Sequence, residues 1–131
     1  MFRKATKEEF TGKVGKLALD LIDFLLDKEM MDDTFIYVNG KRYGTYDGEK
    51  HYHYHDASWD TIYVEDDMNP KDYCEYAGNI LSLSTEGFLY DCLNYGFEWG
   101  SKASDQLEAI FEKHGYYYEM CTAWFITAVK L

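Results

Sequence analysis

Phe35-Ile36-Tyr37-Val38-Asn39-Gly40-Lys41-Arg42-Tyr43-Gly44-Thr45-Tyr46 is the stretch on which the fold turns. Two runs of β-branched and aromatic residues flank Asn39-Gly40, and Asn-Gly accepts the left-handed backbone that a two-residue hairpin demands. The pattern predicts antiparallel strands. Asp47-Gly48 offers a second turn, His51 to His55 a third alternating run, and Trp59 to Glu65 a fourth strand, so a four-stranded meander is expected. Asp66-Asp67-Met68-Asn69-Pro70 should end it, because the proline has no amide proton to give to a central ladder.

Upstream of the hairpin the apolar period changes from two to nearly four. Phe10, Val14, Leu17, Leu21 and Leu25 recur at helical steps behind a Thr6/Glu9 capping box, which predicts one long helix from about Lys7 to Met30. Gly12 and Gly15 weaken its first turns. Downstream, Leu81 and Leu83 alternate with Ser82 and Ser84 as in a half-buried strand, and Thr85 can cap a short helix from Glu86 to about Asn94. Ser104 and Asp105 should start a third helix that buries Leu107, Ile110 and Phe111 and stops at Gly115. Tyr116 to Met120 and Trp124 to Val129 read as a closing antiparallel pair turning near Cys121-Thr122. The expected fold class is α+β: a long N-terminal helix, a mainly antiparallel sheet made of the meander plus C-terminal strands, and two shorter helices before the last hairpin. Residues 1–131 are expected to form a single compact domain, with no repeat or linker.

Lys and Arg number 13 against 24 Asp and Glu, a formal net charge of -11, which repels the phosphate backbone and argues against direct DNA or RNA binding. Hydrophobic residues at 47% supply enough apolar surface for a core. No apolar run reaches the ~20 residues of a membrane-spanning helix, and the N-terminus lacks a secretory pattern, so a cytoplasmic location in a bacterial host cell is expected.

The histidine run His51-Tyr52-His53-Tyr54-His55 would place three imidazoles on one strand face at steps of about 6.6–7 Å. Neighbours could chelate a metal, but the outer two are too far apart for ~2.0–2.1 Å bonds to one ion. A polar strand face is the favoured reading, and a metal-binding protein built on His51, His53 and His55 the alternative. Cys74, Cys92 and Cys121 have neither zinc spacing nor a catalytic signature, and read as structural thiols. His114 ends the last helix, where a cation suits the dipole. No phosphate-loop, dinucleotide, nucleophile-elbow or zincin motif occurs, so no enzyme activity, catalytic residue, cofactor or metal is expected.

Acid is instead concentrated. The first sixteen residues carry a net of +3, and the segment from Asp56 to Glu75 a net of -6. Asp20, Asp23 and Asp27 fall on one face of the first helix, spanning about 10 Å. With Asp60, Glu65, Asp66, Asp67 and Asp72 they form the candidate partner-binding set, and Tyr37 and Tyr46, among thirteen tyrosines, are its candidate anchors. These acidic stretches and the tyrosine-rich meander resemble, at the level of a class, the small inhibitors that phages and mobile elements direct against bacterial nucleases, the anti-CRISPR and anti-restriction proteins. The resemblance implies a basic protein partner, a nuclease or Cas effector, blocked on an essential surface, with nucleic-acid mimicry as one means. A nuclease-toxin immunity protein is the nearest alternative, and pairing with a second copy as a homodimer is left open.

Overall fold

The computed structural model describes residues 2–31, 34–48, 57–75, 77–85, 98–122 and 124–131. Among them, β1 (Phe2–Lys4), β2 (Ile36–Val38), β3 (Lys41–Gly44), β4 (Tyr63–Glu65), β5 (Leu81–Ser84), β6 (Tyr116–Thr122) and β7 (Phe125–Lys130) form one seven-stranded sheet. The spatial order is β1-β4-β3-β2-β5-β7-β6 and every pairing is antiparallel. Among the described residues two helices, α1 (Gly12–Asp27) and α2 (Glu98–Lys113), complete an α+β fold.

The Asn-Gly hairpin forms as the sequence dictates. Asn39 and Gly40 take φ of 55° and 75°, the two consecutive left-handed residues of a tight turn, and Ile36 stands opposite Tyr43. Strand alternation then sorts the side chains. Ile36, Val38, Tyr43, Val64, Leu81, Leu83, Ile126 and Ala128 face the helices, and pack with Leu17, Leu21, Ile22 and Leu25 of α1 and Leu107 and Phe111 of α2. Most of these are fully buried, each large one contributing about 1.5–3 kcal/mol of apolar burial. The opposite face carries Tyr37 and Phe125, which are covered by Cys74, Ala77 and Met68 from the segment between β4 and β5.

Several elements depart from the sequence expectation. The helix expected from Lys7 to Met30 is divided: the Thr6 amide donates to Glu9 Oε2 at 2.9 Å, but this box caps only a 3-10 turn at Lys7–Glu9. Gly12, at φ 72°, redirects the chain, and a Cβ on Gly15 would stand 2.7 Å from the Phe10 carbonyl carbon, so the turn folds back onto α1 through its missing side chain. The residues ahead of that turn form β1, an edge strand too short to carry a periodic signal. Trp59–Thr61 is a 3-10 turn capped by Ser58, and only Tyr63–Glu65 of the expected fourth strand is extended. The run His51 to His55 lies outside the described residues, as does the helix expected from Glu86 to Asn94. Because β3 pairs directly with β4, no third strand separates them in the ladder, and the four-stranded meander is reduced to β2-β3-β4. The last helix starts at Glu98, ahead of Ser104, and β6 continues through Cys121-Thr122, where a turn was expected.

Candidate functional site

The β2–β3 turn, the chain after β4 and the approach to β5 enclose a groove of about 690 Å³. Its walls follow from local sequence. The Met68 amide donates to the Gly40 carbonyl at 2.8 Å, joining the post-β4 segment to the hairpin tip. Asn69 then caps a 3-10 turn at Pro70–Asp72, its Oδ1 accepting from the Lys71 amide at 2.9 Å, so the Asn-Pro pair ends the strand region as expected. On the far wall, Gly78 donates its amide to Thr127 Oγ1 at 2.9 Å, and that hydroxyl lies 3.0 Å from Ser82 Oγ. A Cβ on Gly78 would stand 2.9 Å from the same hydroxyl, which is why the wall can sit so close to the sheet.

Tyr37, Val38 and Leu81 are buried residues of the groove lining, while Asn39, Asp66, Asp67 and Asn79 are exposed. Lys41 Nζ stands 3.9 Å from Asp66 Oδ1, and Asp67 holds a left-handed backbone at φ 57°. Two carboxylates therefore share the lining with one ammonium. Apolar and acidic surface side by side suits a Lys or Arg side chain, whose stem packs while its head is paired.

The structure brings together Asp66, Asp67 and Tyr37 of the sequence-derived candidates and disperses the others. Tyr37 is only 2% exposed, stacked against Tyr73 and tilted against Phe125, so it supports the groove from beneath instead of offering a ring to a partner. Tyr46 is half-buried beyond β3. Glu65 is half-buried and paired with Arg42 at 2.6 Å across β3–β4. Asp72 is exposed in the Pro70–Asp72 turn.

The expected row on α1 is largely engaged inside the molecule. Asp20 Oδ2 lies 2.6 Å from His114 Nε2 and accepts from Lys113 Nζ at 3.2 Å. Burial would raise its pKa, but the His114 and Lys113 hydrogen bonds outweigh that and hold the carboxyl below its ordinary range. Asp23 accepts the Trp59 indole N–H at 2.7 Å, and Asp60, highly exposed, lies 3.7 Å from Lys4. Asp27 is exposed beside Lys28.

Sequence reasoning missed the contribution of Lys41, Asn39 and Asn79, for which the Asn-Gly turn was the only signal. It also missed the partner of His114 and the reach of Glu9 beyond its cap. Glu9 accepts from both Arg3 guanidinium nitrogens at 3.1 and 3.2 Å and from Tyr43 Oη at 2.6 Å. Burial opposes ionisation of Glu9, yet the Arg3, Tyr43 and Thr6 hydrogen bonds prevail and lower its pKa, while burial and Glu9 together raise that of Tyr43.

Among the described residues, no group of three or more His, Cys, Asp or Glu side chains could hold a metal ion, and no helix is long and apolar enough to cross a membrane. Comparison of the chain with protein-family models, with curated proteins and with solved structures returns no match.

Proposed function

We propose that this chain is a small acidic protein-binding inhibitor, directed at a basic surface of a bacterial nucleic-acid-processing defence enzyme such as a Cas effector or restriction nuclease. The observation that carries the reading is the meeting of Asp66 and Asp67, from the most acidic segment, on a groove underlain by buried Tyr37. An excess of negative charge over the whole chain steers a basic partner towards it, and the exposed Asp66 and Asp67 carboxylates give that partner's cationic side chains a place to dock. Blocking a nucleic-acid channel requires only that the occupied basic surface be the one that holds phosphate.

The test is cleavage by a panel of purified Cas effectors and restriction nucleases, with the chain added at low and high salt. At least one nuclease should be inhibited, and the inhibition should weaken as salt screens the pairing. Asp66→Asn with Asp67→Asn should raise the inhibitory concentration roughly tenfold, the scale of losing about 1.4 kcal/mol of charge pairing. Asparagine is chosen because it tolerates the left-handed backbone of Asp67, so the double variant should keep the native unfolding temperature. No inhibition of any nuclease, or inhibition indifferent to both salt and these substitutions, overturns the reading.

A further inference from the structure

Two cysteines far apart in sequence meet on the sheet face opposite the helices. Cys74 follows the Pro70–Asp72 turn, its amide donating to the Pro70 carbonyl at 2.9 Å, and its side chain is buried in the cluster that contains Tyr37, Ala77 and Phe125. Cys121 reaches the same cluster from β6. It is the inserted residue of a β-bulge: Met120 stands opposite Ile126 and Thr122 opposite Phe125, leaving Cys121 as the extra residue. Bulges re-aim side chains, and here the one inserted is a thiol packed on the segment that carries the other. Both cysteines are reduced in this structure, and Cys121 packs against the same small cluster that buries Cys74.

We propose that Cys74 and Cys121 are a redox pair whose oxidation to a disulfide staples the groove-wall segment to β6. The oxidant is a small disulfide of the glutathione class. Cys121, the more accessible of the two, loses its proton and attacks one sulfur of the oxidant, releasing one thiolate and leaving a mixed disulfide. The Cys74 thiolate then attacks the Cys121 sulfur, expelling the second thiolate. The two cysteines are oxidised by two electrons, the oxidant is reduced to two thiols, and these take up the two protons released. Burial and the neighbouring Cys74 raise the pKa of the Cys121 thiol, so entry is slow near neutrality and quickens as pH rises. The pair is a property of the fold and does not depend on what the groove binds.

The wild-type chain, incubated with glutathione disulfide near neutral and at alkaline pH, alkylated and digested without reduction, gives a peptide map that distinguishes every pairing among Cys74, Cys92 and Cys121. A Cys74–Cys121 linked peptide should be the main product, form faster at alkaline pH and disappear in Cys121→Ser. The oxidised chain should unfold roughly 2–8 °C higher, and dithiothreitol should reverse the shift, because the cross-link closes a long loop of the unfolded chain. Persistent glutathione adducts, links through Cys92, intermolecular disulfides or no reaction would overturn the proposal. So would a linked product that unfolds at a lower temperature, since the native geometry would then not hold the pair.

Discussion

Glu29 occupies the left-handed position that ends α1, at φ 55°. The Met30 amide bonds the Leu25 carbonyl at 2.7 Å and the Glu29 amide bonds that of Leu26 at 3.2 Å, the paired bonds of a Schellman cap that delivers Met30 into the core. A non-glycine residue is disfavoured there by Cβ sterics, which glycine removes at some entropic cost in the unfolded chain. Glu29→Gly should therefore stabilise the protein by about 0.5–1 kcal/mol, read as a higher denaturant midpoint with unchanged slope. Nothing in the sequence marks this cap, because Glu is not a residue that signals a helix end. Asn39-Gly40 is the contrasting case: both residues belong to the small set that accepts positive φ, so the turn is legible from two letters.

Between elements, two carboxylates act as ties. Glu9 joins β1, the Lys7–Glu9 turn and β3 through Arg3, Thr6 and Tyr43, and Asp20 joins α1 to the end of α2 through Lys113 and His114. Both carboxyls have a lower pKa folded than unfolded. Their stabilisation is thus fully present above the unfolded values of about 3.9–4.3 and is lost as pH falls through the lower folded values. Thermal unfolding followed across an acid series should show stability falling below about pH 4, and Glu9→Gln or Asp20→Asn should lower the plateau and flatten that fall. Charge reversal at Asp20 would set a cation against Lys113 and His114, so it should lower stability as well as alter the surface, whereas reversal at exposed Asp27 should not. The sequence showed the Thr6/Glu9 box and the helical phase of Asp20, but a partner 94 positions away leaves no trace in local periodicity.

Across the whole molecule, one core between sheet and helices carries the fold, and the second face carries the groove. Leu21 and Phe111 are fully buried on α1 and α2, as their spacing predicts. Leu21→Asp or Phe111→Asp should abolish cooperative unfolding, and Leu21→Ala should cost about 2–5 kcal/mol, checked by denaturant melts. Retained cooperativity in both Asp variants would contradict the packing.

The α+β class, the Asn-Gly hairpin, the strands around Leu81 to Ser84 and Phe125 to Lys130, and the inward faces of both helices were settled by sequence alone. Period and turn chemistry are local, and burial merely executes them. Tertiary structure decided where α1 begins, since that depends on Phe10 folding back over Gly15. It also decided the strand order, which turns on non-local pairing of β2 with β5 and of β5 with β7. Among the acidic residues it separated those engaged within the fold, Asp20, Asp23 and Glu65, from Asp66 and Asp67 at the groove. Charge is written in the sequence, but whether a carboxylate is held by a close hydrogen bond, as Asp20, Asp23 and Glu65 are, or stands at a groove, as Asp66 at 3.9 Å from Lys41 and Asp67 do, depends on what the fold places beside it.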